Sequence, residues 1–152
     1  MRKRCKRKPL ALINPIEHAI SGARVISDDA LMIVRMRELQ AIEAFAKGTA
    51  SLQQWDDLAA MLNIAETMAR NGIGIEVLEV CKQMQDVLIE SARRFEKTKR
   101  MGTNGDGLKL FRKLYQLHDL QRLSVARAEY EKMIRLAKAR VMSGHSELIE
   151  LT

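Results

Sequence analysis

The sequence predicts an all-α protein, a bundle of four to five helices behind a flexible basic N-terminal arm. Of 152 residues only 2 are Pro, 8 are Gly and 4% are aromatic, which suits helices and leaves little material for sheets. Apolar residues recur every three or four positions along most of the chain, the period of a helix with one buried face. With 47% hydrophobic and 30% charged residues, the chain can bury a core and is not intrinsically disordered. The expected division is an arm at 1–9, one helical domain at 10–144 and an extended tail at 145–152.

Asn14 before Pro15, with Glu17 completing a capping box, opens a short helix that Gly22 closes, Ile16 and Ile20 sharing a face. A second helix follows Ser27, with Asp28 and Asp29 at the positive end of its dipole, and stops at Lys47 before Gly48. Met32, Met36, Leu39, Ile42 and Phe45 or Ala46 form its expected buried stripe. Ser51 and Gln54 cap a third helix from Leu52 to about Arg70, ended by Asn71 and Gly72. Trp55, Leu58, Leu62, Ala65 and Ala69 line one side of it, and Met61, Ile64 and Met68 widen the band enough for more than one neighbour.

After Gly74, the residues Val77, Cys81, Met84, Leu88, Ser91 and Phe95 fall at alternating spacings of four and three. This a/d-like seam predicts the longest helix, running to near Arg100, and self-association as a homodimer through Val77, Cys81, Met84, Leu88 and Phe95. Gly102, Thr103, Asn104, Gly105, Asp106 and Gly107 form the clearest loop. Leu110 or Phe111, Leu114, Leu117 or His118 and Leu123 then give another helical stripe. Ser124 offers a restart, and Ala126, Tyr130, Met133, Ala137 and Val141 carry the period to Gly144.

The net charge of +7 is unevenly placed. Residues 1–8 carry +6 through Arg2, Lys3, Arg4, Lys6, Arg7 and Lys8, residues 9–92 carry −6, and residues 93–152 carry +7. The arm and a second cluster, Arg93, Arg94, Lys97, Lys99, Arg100, Lys109, Arg112 and Lys113, are candidate contacts for an anionic partner. The second cluster gathers at one end of the bundle if the helices flanking the glycine loop fold back on each other. A solvated tail is the plainer reading of the arm, which also lacks aromatics for stacking on single strands. Asp56, Asp57, Glu66, Glu76, Glu79, Asp86 and Glu90 could face a basic partner, or simply complement the basic half of the protein.

No pattern names a reaction. Cys5 and Cys81 stand 76 positions apart, so neither a disulfide framework nor a CxxC clip is present, which suggests free thiols in a reducing cytoplasm. Asn14 and Pro15 cut the apolar run Leu10 to Ile13 short of a signal sequence, and nothing approaches a membrane span. The glycine loop fails as a P-loop, because Leu108 follows Gly107, and as an EF-hand, because Lys113 stands where the bidentate Glu belongs. His18, His118 and His145 have no partner at metal spacing, and His118 and Asp119 diverge on adjacent helical positions. Residues 54–70 echo a helix-turn-helix but offer Glu66, Thr67 and only Arg70 where base-reading side chains belong; one continuous helix explains them. No catalytic residue, metal or cofactor is assigned, and an enzyme is not expected.

KPLALINPIEHAI near the start, ELQAIEAFAKGTASLQQWDDLAAMLNIAETMARNGIG, and LYQLHDLQRLSVARAEYEKMI resemble a group of small uncharacterised helical proteins encoded by proteobacterial prophages and plasmids. The resemblance spans most of residues 8–137 and departs at Met101 to Gly107. It implies a mobile-element setting and supplies no catalytic residues. Accessory proteins of that kind often bind and redirect a host protein, so the resemblance implies inhibition of a defence or regulatory complex. The leading expectation is therefore stoichiometric binding to a host protein or protein complex in the bacterial cytoplasm, with no membrane partner. The alternative is non-specific binding of nucleic acid through the arm and the cluster around the glycine loop.

Overall fold

The computed structural model describes residues 28–143, which form five α-helices and no strand among the described residues. They are α1 (Asp28–Lys47), α2 (Leu52–Arg70), α3 (Val77–Thr98), α4 (Gly105–Ser124) and α5 (Arg127–Met142). The expected helix closed by Gly22, the arm and the tail lie outside the described residues. Short connections make α1 to α4 antiparallel neighbours. Each packs on the next, α1 closes the ring against α4, and α5 lies outside on α2. The chain is an all-α helical bundle.

Local chemistry sets the helix ends. Ser51 Oγ accepts from Gln54 N at 3.1 Å while Gln54 Oε1 accepts from Ser51 N at 2.9 Å, closing the capping box that starts α2. Asn104 Oδ1 accepts from Gly107 N at 2.8 Å and starts α4. The α2 stripe is the mechanical centre: Trp55, Leu58, Met61, Leu62, Ala65, Met68 and Ala69 are all buried, and α2 touches every other helix. Trp55 Nε1 donates to the Leu88 carbonyl at 3.0 Å, so its buried ring leaves no unpaired N–H. Phe45 and Phe111 meet edge to face at 5.1 Å, joining α1 to α4.

Three expectations need correction. The α3 seam is not a free surface: Val77, Cys81, Met84 and Leu88 are buried in the bundle's own core and Phe95 packs against it, so these residues are spent internally. On α1, Met32, Met36 and Leu39 are 63%, 51% and 45% exposed, while Leu31, Glu38, Ala41, Ile42 and Phe45 are buried. The helix is turned so that a carboxylate enters the core. Leu123 is likewise 49% exposed, its expected inward place taken by Gln121 and Arg122. In both helices a polar network displaces part of the apolar stripe, while Ile42, Phe45, Phe111 and Leu114 keep their inward places.

The expected loop at 102–107 is shorter than its glycines suggested, since Gly105 to Gly107 form the first turn of α4, and Gly102 and Gly107 serve packing. A Cβ on Gly102 would stand 2.8 Å from the Cα of Gly48, and one on Gly107 would strike the side chains of Val87 and Thr103. Ala50 N donates to Met101 O at 3.2 Å, so the α1–α2 and α3–α4 connections are bonded backbone to backbone. Gly102→Ala is expected to cost about 1–3 kcal/mol and lower the thermal midpoint. Gly105→Ala, which meets nothing within 4 Å, should leave the midpoint unchanged.

Candidate functional site

Two assemblies of functional side chains stand out, one buried and one exposed. The buried one joins α1 to α4. Arg122, whose side chain has no exposed surface, donates to Glu38 Oε1 and Oε2 at 2.8 and 2.9 Å. It also donates to Asp119 Oδ1 at 3.0 Å. Asp119 in turn accepts both donors of Arg35, at 2.8 and 2.7 Å. Burial pushes the Glu38 carboxyl up against the pull of Arg122. Asp119 is also partly buried, yet its hydrogen bonds to Arg35 and Arg122 hold it below the ordinary value. The bidentate geometry is that of an ionised pair.

Next to Arg122 in sequence, Gln121 Nε2 donates to the carbonyls of Ala65 and Ile73 at 3.2 and 2.7 Å. Its Oε1 is thereby left to accept from His118 Nδ1–H at 2.9 Å. His118 is fully buried, and burial, helped by the Arg122 charge, holds its imidazole down at about 3. Cys81, also buried, has its thiol pushed up to about 12 by burial and stays protonated at neutral pH. These groups are structural in placement: α1, α2, α3 or α5 covers each of them. Among the described residues no group of three His, Cys, Asp or Glu side chains is placed to hold a metal. No described helix is long and apolar enough to cross a membrane.

The exposed assembly is the end of the bundle where α3 turns into α4. Because α3 and α4 fold back on each other, Arg93, Arg94, Lys97, Lys99, Arg100, Lys109, Arg112 and Lys113 are brought to that end, and all eight are exposed. None of them forms an ion pair with a carboxylate of the described residues. Lys99 lies over the Phe95 ring at 5.9 Å. Arg2 to Lys8 lie outside the described residues. Lys47 joins the cluster from the last turn of α1, lining the same cleft as Arg94 and Arg100. Its place carries no sequence signal, because the backbone bond between the two connections brings it there.

The acidic candidates do not form one surface. Asp57 pairs with Arg37 at 3.3 Å, and Glu66 pairs with Arg70 at 2.8 Å and Arg140 at 3.4 Å. Glu79 accepts from Gln83 at 3.3 Å. Asp56 is half-buried on α2, whereas Glu76, Asp86 and Glu90 are exposed at or along α3. Internal complementarity accounts for Asp57 and Glu66, both turned toward flanking helices. Compared with family models, with curated proteins and with solved structures, the chain has no match.

Removing Arg122 should leave Glu38 buried without a counter-charge. Arg122→Met is expected to cost about 3–5 kcal/mol in urea unfolding, and Glu38→Leu with Arg122→Met markedly less than the sum of the single changes. His118 makes stability pH-dependent. Its folded value lies below the ordinary 6.5, so the unfolded chain takes up the proton first and stability falls as pH drops from about 6.5 toward about 3. Between pH 7 and pH 5 this group contributes a loss of about 2 kcal/mol. His118→Gln should flatten that slope, as read from unfolding midpoints at the two pH values.

Proposed function

We propose that the protein acts by stoichiometric binding and that its basic end holds nucleic acid through the phosphate backbone, without reading sequence. The supporting observation is the convergence of eight exposed cations at the α3–α4 turn, uncompensated by any carboxylate ion pair among the described residues. Long cationic side chains at that density suit phosphates, which give affinity and register without base readout. No Phe, Tyr or Trp ring is fully exposed among the described residues. All six aromatic residues are buried or half-buried, which favours the backbone mode over single-strand stacking. The six cations of residues 1–8 add charge of the same sign.

A second reading makes the chain a phage or mobile-element accessory protein that binds a host protein. It draws on a face of α1 that no other described residue covers, where Met32, Ile33 and Met36 are 63%, 61% and 51% exposed, a flexible apolar surface of the kind that takes a protein partner. The two readings separate by mutation. Host-protein capture should survive deletion of residues 1–8 and be lost in Met36→Lys, whereas nucleic-acid binding should weaken on the deletion and tolerate Met36→Lys.

Fluorescence anisotropy with unrelated duplexes is the direct measurement. Affinity should be equal across sequences, with log K falling against log salt at a slope of about −5 to −7. Lys109→Glu with Lys113→Glu should make the slope shallower by about 2. Absence of binding at about 50 mM salt, where phosphate contacts are strong, would overturn the reading.

A further inference from the structure

The cleft at the basic end carries a sharper assignment, which rests on the nucleic-acid reading. It has a volume of about 370 Å³ and lies between the end of α1, the last turn of α3 and the 100–103 connection. Lys47, Arg94 and Arg100 line it, together with Thr98 and Thr103. Its walls are braced. Thr103 N donates to Phe45 O at 3.4 Å, Ala50 N donates to Met101 O at 3.2 Å, and Ser91 Oγ donates to Gly102 O at 3.1 Å. Thr98 Oγ1 donates to the Arg94 carbonyl at 2.9 Å and accepts from Arg100 N at 3.2 Å. One hydroxyl thus ties the backbones of both arginines to the same turn.

The last turns of α1 and α3 finish here and would draw cations to their carbonyls, although α2 and α4 begin at this end and their dipoles oppose it. The carbonyls at the end of α1, however, already accept backbone N–H groups: Phe45 O from Gly48 N and Thr103 N, and Ala44 O from Thr49 N. The guanidinium donors are left for an outside acceptor. Lys47 has one carboxylate nearby, Glu43 at 3.5 Å, in a pair exposed on both sides and therefore weak. Arg94 and Arg100 have none among the described residues.

Three cations around a concave site fit a compact anion of high charge. A phosphodiester within a strand carries one negative charge and must lead chain out on both sides. A terminal phosphomonoester carries about −1.5 to −2 at neutral pH and three acceptor oxygens, and enters a cleft from one side. We propose that this cleft seats the terminal phosphate of a nucleic-acid strand, with Arg94 and Arg100 donating to its oxygens and Lys47 balancing its charge.

The test compares one oligonucleotide sequence with a 5′-phosphate, a 3′-phosphate or hydroxyls at both ends, by anisotropy at fixed salt. A phosphorylated end should bind about tenfold tighter. Arg94→Gln and Arg100→Gln should erase that preference, whereas Lys109→Gln should weaken all three oligonucleotides alike. Unfolding midpoints confirm that these exposed substitutions leave the fold intact. Equal binding of the three oligonucleotides overturns the seat and leaves the nucleic-acid reading standing; no binding of any overturns that reading. Inorganic phosphate, added to the full chain while the thermal midpoint is followed, reads the cleft alone. A phosphate-induced rise without oligonucleotide binding assigns the seat to free phosphate and overturns the strand-end proposal.

Discussion

A guanidinium with no exposed surface sits between α1 and α4, and the architecture around it follows from the need to answer that charge. Arg122 would be intolerable in an apolar core unless carboxylates met it with good geometry. Glu38 supplies both oxygens from α1, and Asp119 supplies one from its own helix. Arg35 then completes Asp119. Two residues of α1, three positions apart, are thereby matched to two residues of α4, also three apart, which sets the rotation of both helices. The consequence is visible outside: with Glu38 turned inward, Met32, Met36 and Leu39 are turned to solvent. Such a network contributes more to a unique register than to net stability, since an apolar replacement of the same shape would pack at least as well.

His118 and Gln121 extend this control to the middle of the molecule. Gln121 reaches carbonyls of α2 and of the α2–α3 connection, so α4 is bonded to three elements within little more than one turn. At the opposite end the constraint is steric, a glycine-to-glycine approach of two connections with no room for a side chain. Held at both ends, α4 presents Lys109, Arg112 and Lys113 in a fixed relation to the final turn of α3. The exposed cations owe their arrangement to buried groups that never touch a partner. Charge density at this end is thus a property of the scaffold, and the cleft of Lys47, Arg94 and Arg100 exists only because the connections are bonded together.

Helices α2 and α3 were legible because their burial is driven by apolar side chains alone. Trp55, Leu58, Leu62, Ala65 and Ala69 on α2 and Val77, Cys81, Met84 and Leu88 on α3 all point inward as their spacing indicates. The bounds of α2 followed from its capping box and from Asn71 and Gly72, whose effect is local, whereas the break between α4 and α5, marked by neither a capping box nor a glycine, stays open at Ser124. Helices α1 and α4 were only half legible: hydrophobic periodicity treats charged residues as outward-facing, and here Glu38 and Arg122 are pulled inward by each other across 84 positions of sequence. The a/d-like seam of α3 misleads for a related reason. Periodicity identifies a face that must be covered, and it is silent on whether a second copy or the same chain covers it.

What the sequence by itself determined is the helical class, the bounds of α1 and α2 and the sum of charge near the glycine loop, since each depends on residues within a few positions of one another. Which candidate charges are free was decided by the tertiary structure. Asp57 and Glu66 are taken up by cations of other turns and helices, the eight basic side chains are left without an ion pair among the described residues, and Lys47 is added to them from a distant helix. Pairing between charges depends on distances of a few ångströms between segments far apart in the chain, and only folding sets those distances.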